Sequence, residues 1–224
     1  MTVSTESGES AQTESPDAPG APAGYGRPGY GVLAAVLVVG LLLGLAGGFL
    51  LPRLNRPGDS SVEAGFVRDM STHHAQAVEM SMIAHAATDN ADIRSLAADI
   101  ATTQHGQVGI MRAWLREWKL SPTGTDAPMA WMPDSAGSVV DGLMPGMATP
   151  EQLTQLRAAT GKALDLQFLT LTRQHHLGGI HMVQEVLKLS DDDDVTWLAQ
   201  TMLDSQQGEI ALIDSLLKQV QGTS

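Results

Sequence analysis

Two segments 102 residues apart carry the same chemistry-bearing side chains at the same offsets. The first runs Phe66-Val-Arg-Asp-Met-Ser-Thr-His73-His74 and on to Met80. The second runs Phe168-Leu-Thr-Leu-Thr-Arg-Gln-His175-His176 and on to Met182. The chain has 7 His, and four of them stand in these two doublets. Imidazole and thioether are ligands for soft and borderline metals, so a duplicated His/Met pattern points to a metal such as copper. With 0 Cys, thiolate sites and disulfides are excluded.

Spacing limits what one ion could reach. On an ideal helix His73 and Met80 share a face but stand about 10 Å apart along the axis, too far for one metal. Residues three or four apart are neighbours, as in the His pair of H-E-x-x-H. Met70 with His73 or His74, Met82 with His85, and His181 with Glu185 meet that condition. Adjacent His point about 100° apart, so one of each doublet, His73 and His175, is expected to face the bundle axis. The candidate metal residues are therefore His73, His74, Met70, Met80, His175, His176, Met182, His85 and His181. His105 has no His counterpart at Gln207 and is not a primary candidate.

The structural alternatives stand beside these. A His on a packed face can simply hydrogen-bond a neighbour, and Asp69, four residues before His73, is a candidate partner. Met80 and Met182 can fill core gaps, as Met does. Asp69 and Met70 offer the first doublet a carboxylate and a soft donor, whereas Leu171 and Thr172 occupy those places in the second. The first doublet is thus expected to bind the more strongly.

The elements that must position these residues follow from periodicity. Residues 1–30 are Ser, Thr, Gly, Pro, Ala and acid without apolar rhythm, a composition that cannot offset chain entropy and predicts a disordered tail. Residues 31–51 are 21 residues without a charge. At about 1.5 Å per residue they can cross a hydrocarbon core of roughly 30 Å. The run is longer than a signal-peptide core and no A-x-A site follows, which predicts an uncleaved single-pass anchor. Gly40, Gly44 and Gly48 form two overlapping G-x-x-x-G motifs, the spacing of a helix-pairing face in membranes, and predict a homodimer contact.

Residues 52–61 read as a linker and 62–220 as one helical domain. Ser60-Ser-Val-Glu63 resembles a capping box opening a helix. Asp89 or Asn90 can cap a second, which ends near Lys119. Residues 120–149 form a connection rich in Pro, Gly and Met. Its Met129, Met132, Met144 and Met147 suit either soft-metal capture or docking on the bundle. Thr149-Pro-Glu-Gln152 opens a third helix running to about Leu189. A fourth starts in Ser190 and Asp191 to Asp194, where acids complement a helix N-terminus. A calcium loop is disfavoured there because the EF-hand glycine and terminal Glu are missing.

The repeat continues, since Gln104-His-Gly matches Gln206-Gln-Gly. Each half, 62–119 and 150–220, is a helical hairpin. Two hairpins make an all-α, ferritin-like four-helix bundle preceded by one transmembrane helix, and the long connection permits a crossover. The domain after Pro52 has 12 Lys/Arg against 21 Asp/Glu. That acidity argues against nucleic acid as a partner, since phosphate binding needs a basic face.

Asp69-Met70-x-x-His73-His74-x5-Met80, Met144-Pro-Gly-Met147, Thr149-Pro-Glu-Gln and Leu156-Arg-Ala-Ala-Thr-Gly161 together resemble the domain-of-unknown-function 305 family. The resemblance covers about residues 62–220. It implies a ferritin-like bundle, commonly exported behind an N-terminal membrane segment, with members linked to copper through His and Met. Arg27 before the span, and Arg53 and Arg56 after it, lean by the positive-inside rule toward a cytoplasmic domain. The resemblance leans the other way, and the expectation adopted is a cell-membrane protein with its C-terminal domain outside the cytoplasm. The expected role is non-enzymatic copper binding or buffering. The alternatives are a helical scaffold or sensory bundle without metal, and a di-iron oxidase. The oxidase needs two Glu-x-x-His motifs, and the chain contains none.

Overall fold

The structure is a computed structural model. It describes residues 1–2, 29–54, 56–133, 135 and 137–222. The expected disordered tail therefore falls almost wholly outside the described residues. Two compact units are present, residues 1–54 and 55–224.

In the first unit, α1 (Tyr30–Leu54) is a single helix of 25 residues. Its stretch Tyr30–Gly48 is long and apolar enough to cross a membrane, and none of it is buried. Nothing lies within 4 Å of a Cβ placed at Gly40, Gly44 or Gly48.

The regular structure of the second unit is helical among the described residues, apart from one isolated bridge between Val140 and Leu143. α2 is Val62–Ala87, α3 Ala91–Trp118, α4 Pro150–Ala158, α5 Gly161–Leu189 and α6 Asp193–Gly222. The start of α2 lies one residue beyond the expected cap. Ser61 accepts from Ala64 N, while Glu63 takes a hydrogen bond from Ser190 Oγ at 2.7 Å instead of closing a box. Asn90 caps α3 through Asp92 N and Ile93 N. Thr149 and Gln152 form the full reciprocal box at α4. Asp192 accepts from Asp194 N and Val195 N at the head of α6, which is the capping role an acid plays there.

One expected helix is two. Ala159 and Thr160 leave the helical region, and Gly161 has φ +54°. Glycine takes that left-handed turn without a Cβ penalty, so the chain turns at the first residue of α5.

The core divides into two clusters along the bundle. One joins Phe66 and Met70 of α2, Met111 and Leu115 of α3, Met182 and Val186 of α5, and Leu198 and Met202 of α6. The other joins Met80 and Ala84, Ile93 and Ile100, Leu164 and Phe168, and Ile213 and Leu216. These pairings set the directions. α2 and α6 run one way, α3 and α5 the other. α3 ends beside the first cluster and α5 starts beside the second, so the connection must travel the length of the bundle. Met129, Met132 and Met144 sit in the first cluster, and Ala148 and Leu156 in the second. The expected crossover is the one adopted.

The two hairpins are thus related by an approximate twofold axis across the bundle. Phe66 of one half shares a cluster with Met182 of the other, and Phe168 with Met80. The His doublets lie between the clusters, at the centre.

Candidate metal site

All four doublet His are buried, none more than 1% exposed. This corrects the expectation that one of each doublet turns away from the interior. α2 packs against both α3 and α5, so its buried arc is wide enough for two residues 100° apart. His73 faces α5, and its ring centroid lies 3.8 Å from that of His175 with 32° between planes. His74 faces α3, where Nε2 meets Gln107 Oε1 at 2.9 Å. His176 faces α6, where Nε2 bonds the Glu209 carboxylate.

The acceptors set the tautomers. His73 Nε2 meets the Pro145 carbonyl at 3.0 Å, and His175 Nε2 meets the His73 carbonyl at 3.0 Å. A carbonyl, amide or carboxylate oxygen only accepts here, so Nε2 carries the hydrogen in all four rings. In His73, His74 and His175, which burial holds neutral, Nδ1 then keeps its lone pair. All four Nδ1 atoms are buried without a hydrogen-bond partner. Burial pushes His73 down to about 4, opposed by the Pro145 carbonyl and aided by His176. It pushes His74 down to about 3, with His73 as the next cause. His175 is lowered well below its usual range, by burial first and then by the other three rings.

An imidazole that donates one N–H to an oxygen and holds out the other nitrogen is the arrangement found in metal-bound His, where the outer partner fixes ring and tautomer. Here His73, His74 and His175 show it, and His176 donates to Glu209 in the same way. One more polar side chain, Gln206, borders the layer. Gln206 Oε1 lies 2.6 Å, and His73 Cε1 3.3 Å, from a Cβ placed at Gly179. Gln104 Oε1 and Gln206 Nε2 are buried without partners, as is Thr172 Oγ1. Among the described residues, no three His, Asp or Glu side chains are grouped to hold an ion as they stand. The rings are tilted and splayed, so joining three on one ion requires side-chain rotation.

The remaining candidates lie elsewhere. Met70 and Met182 are in the first apolar cluster and Met80 in the second. His85 and His181 are exposed. His85 Nδ1 donates to the Arg94 carbonyl at 3.1 Å. Glu185, the expected companion of His181, accepts instead from Lys188 Nζ at 2.5 Å. Asp69 does not support His73. Its Oδ2 accepts from Met129 N at 2.7 Å and Trp131 Nε1 at 2.9 Å, so it anchors the connection. Burial raises its pKa against those bonds and Arg68.

The connection also breaks the twofold relation. By symmetry His73 Nε2 would reach the His175 carbonyl, but Pro145 O takes that place. A Cβ at Gly178 would stand 1.9 Å from Pro145 O, and one at Gly146, φ +78°, 2.3 Å from the Gln174 carbonyl. Two glycines therefore let the Met144-Pro-Gly-Met147 strap lie directly on α5. Gln76, the counterpart of Gly178, clamps the strap from α2. It donates to Ala148 O at 2.9 Å and accepts from Ala148 N at 2.7 Å.

Sequence reasoning missed Gln107, Glu209, Gln76 and the Pro145 carbonyl. A signal existed for the first two. They are themselves 102 residues apart, and each lies 33 residues after the second His of its doublet.

Comparison with known proteins agrees with this architecture. A secreted DUF305 protein from Streptomyces coelicolor is 39% identical, with TM-score 0.68, over 73% of this chain and 96% of that one. A DUF305 fragment from Deinococcus radiodurans is 28% identical, TM-score 0.59, over 70% and 96%. CopM in its Cu(I)-bound form is 19% identical, TM-score 0.56, over 74% and 99%, and its Cu(II)-bound form scores 0.55. No curated protein sequence matches the chain. The family model for the domain of unknown function DUF305 matches residues 63–217, and the protein belongs to that family.

Proposed function

We propose that this protein is a membrane-anchored, non-enzymatic copper-binding protein whose bundle lies outside the cytoplasm and buffers copper. The observation that carries the reading is the central layer of four buried imidazoles, each bonded through Nε2 to an outer oxygen and each with Nδ1 unpartnered. Neutral imidazole suits copper, and the low pKa values of His73 and His74 keep it neutral at physiological pH. The copper-bound CopM structures share the fold and support the choice of metal. The S. coelicolor neighbour is described as secreted, which supports the placement. Among the described residues the layer contains one carboxylate contact, Glu209, whereas a di-iron oxidase draws carboxylates from all four helices.

Titration of the detergent-solubilised full chain with Cu(I) and Cu(II), in competition with a chromogenic chelator, tests this. His73→Gln, His74→Gln, His175→Gln and His176→Gln together keep amide donors but lose the ring lone pairs. The quadruple variant is expected to bind at least about 100-fold more weakly, the scale of losing direct ligands rather than their outer partners. Equal binding by wild type and variant would reject the layer as the site.

The close, tilted contact of His73 with His175 favours a second reading, in which the layer is structural and holds the register of the two hairpins. It predicts a wild-type chain that binds no copper and a quadruple variant with a lowered melting temperature.

A further inference from the structure

We infer that Glu209 is a positioning residue that makes the second hairpin the stronger metal-binding half, the reverse of what Asp69 and Met70 suggest from sequence. The inference rests on the metal reading above. His74 and His176 occupy equivalent places, and so do Gln107 and Glu209 behind them. The two halves differ in the charge of that partner. An amide oxygen accepts from His74, a carboxylate from His176.

The carboxylate is held on both sides. Glu209 Oε2 takes the His176 Nε2–H, and Oε1 takes the Ser205 hydroxyl at 2.9 Å. Its side chain is 16% exposed while His176 is fully buried, so it closes the layer at its outer edge. The residue matching Ser205 in the first half is Thr103, which is exposed. A carboxylate accepting from Nε2–H raises the donor strength of Nδ1 on the same ring more than an amide does. It also places a negative charge behind a ring that would hold a cation, in a core where an uncompensated charge is costly.

Two reciprocal substitutions test this in the full chain. Glu209→Gln gives the second half the partner already accommodated beside His74, and Gln107→Glu gives the first half a carboxylate. Two quantities are read: Cu(I) affinity by chelator competition, and the ¹⁵N resonances of the His rings before copper is added. Glu209→Gln is expected to weaken Cu(I) about 10-fold, at the low end for loss of an outer partner, and to shift chiefly the His176 ring signals. Gln107→Glu is expected to strengthen binding and shift chiefly His74. Unchanged affinity in either variant overturns the inference, as does an affinity loss in Glu209→Gln without movement of the His176 signals. A wild type that binds copper while both variants match it removes this inference alone. A wild type that binds none removes the metal reading as well.

Discussion

His73 and His74 show how burial turns a pH-sensitive residue into one held neutral. Both rings titrate near 6.5 in an unfolded chain. Folded, His73 accepts a proton only near about 4 and His74 near about 3. Between those limits the unfolded chain binds more protons, so stability falls as pH drops below about 6.5 and keeps falling toward 3. His73 contributes of order 3 kcal/mol to that loss. We expect melting temperature to fall by about 10 °C between pH 7 and 5. His74→Gln should lose less over the same range. A flat profile by circular dichroism would contradict neutral, buried rings. Asp69 acts at the same scale in a different place. Asp69→Ala removes two charge-assisted bonds to the connection and should cost about 2–4 kcal/mol in denaturant unfolding. The same substitution should redden Trp131 emission and leave copper affinity within about threefold.

At the scale of elements, the two hairpins repeat but the connection does not. It inserts a carbonyl where symmetry calls for the other helix's backbone. Gly178 is the position that permits this, because any Cβ there meets Pro145 O at 1.9 Å. Gly178→Ala should push the strap off α5, break the Pro145–His73 bond and cost about 1–3 kcal/mol. Hydrogen exchange should then rise at Gly146 and Met147 more than within α3 or α6. Uniform protection across the bundle would show that the strap is not held by this contact. Gln76 clamps the same segment through Ala148, so Gln76→Ala should act in the same direction.

At the scale of the whole molecule, α1 and the bundle belong to separate units. The proposed orientation is tested by fusing alkaline phosphatase or a fluorescent protein after Ser224. An active phosphatase is expected, and a fluorescent fusion without phosphatase activity would place the bundle in the cytoplasm. We further propose that α1 pairs with a second copy through Gly40, Gly44 and Gly48, where missing side chains let two backbones approach. Gly44 belongs to both motifs. In a genetic assay of transmembrane association, Gly44→Ile should lower the signal severalfold, because a branched side chain separates the backbones. An unchanged signal would leave α1 without this pairing role.

The one-dimensional pattern already determined the helical class, the cap at Thr149, the choice of Asp89 or Asn90 for the cap of α3, and the identity of the central His. Those features are local, since periodicity and capping depend on residues within a few positions of each other. It also determined that the connection was long enough to cross the bundle. The burial of His74 and His176 was decided only in three dimensions, because it depends on two neighbouring helices covering one arc of α2 and of α5. So were the partners of the rings. Pro145 O, Gln107 and Glu209 reach the layer from positions 72, 33 and 33 residues away. The sites of Met70, Met80 and Met182 were likewise settled by packing, which draws unbranched apolar side chains into the end clusters and leaves the centre to imidazole. Asp69 carries the same lesson. Four residues from His73 on one helix, it points instead to a loop 60 residues away whose N–H groups needed an acceptor.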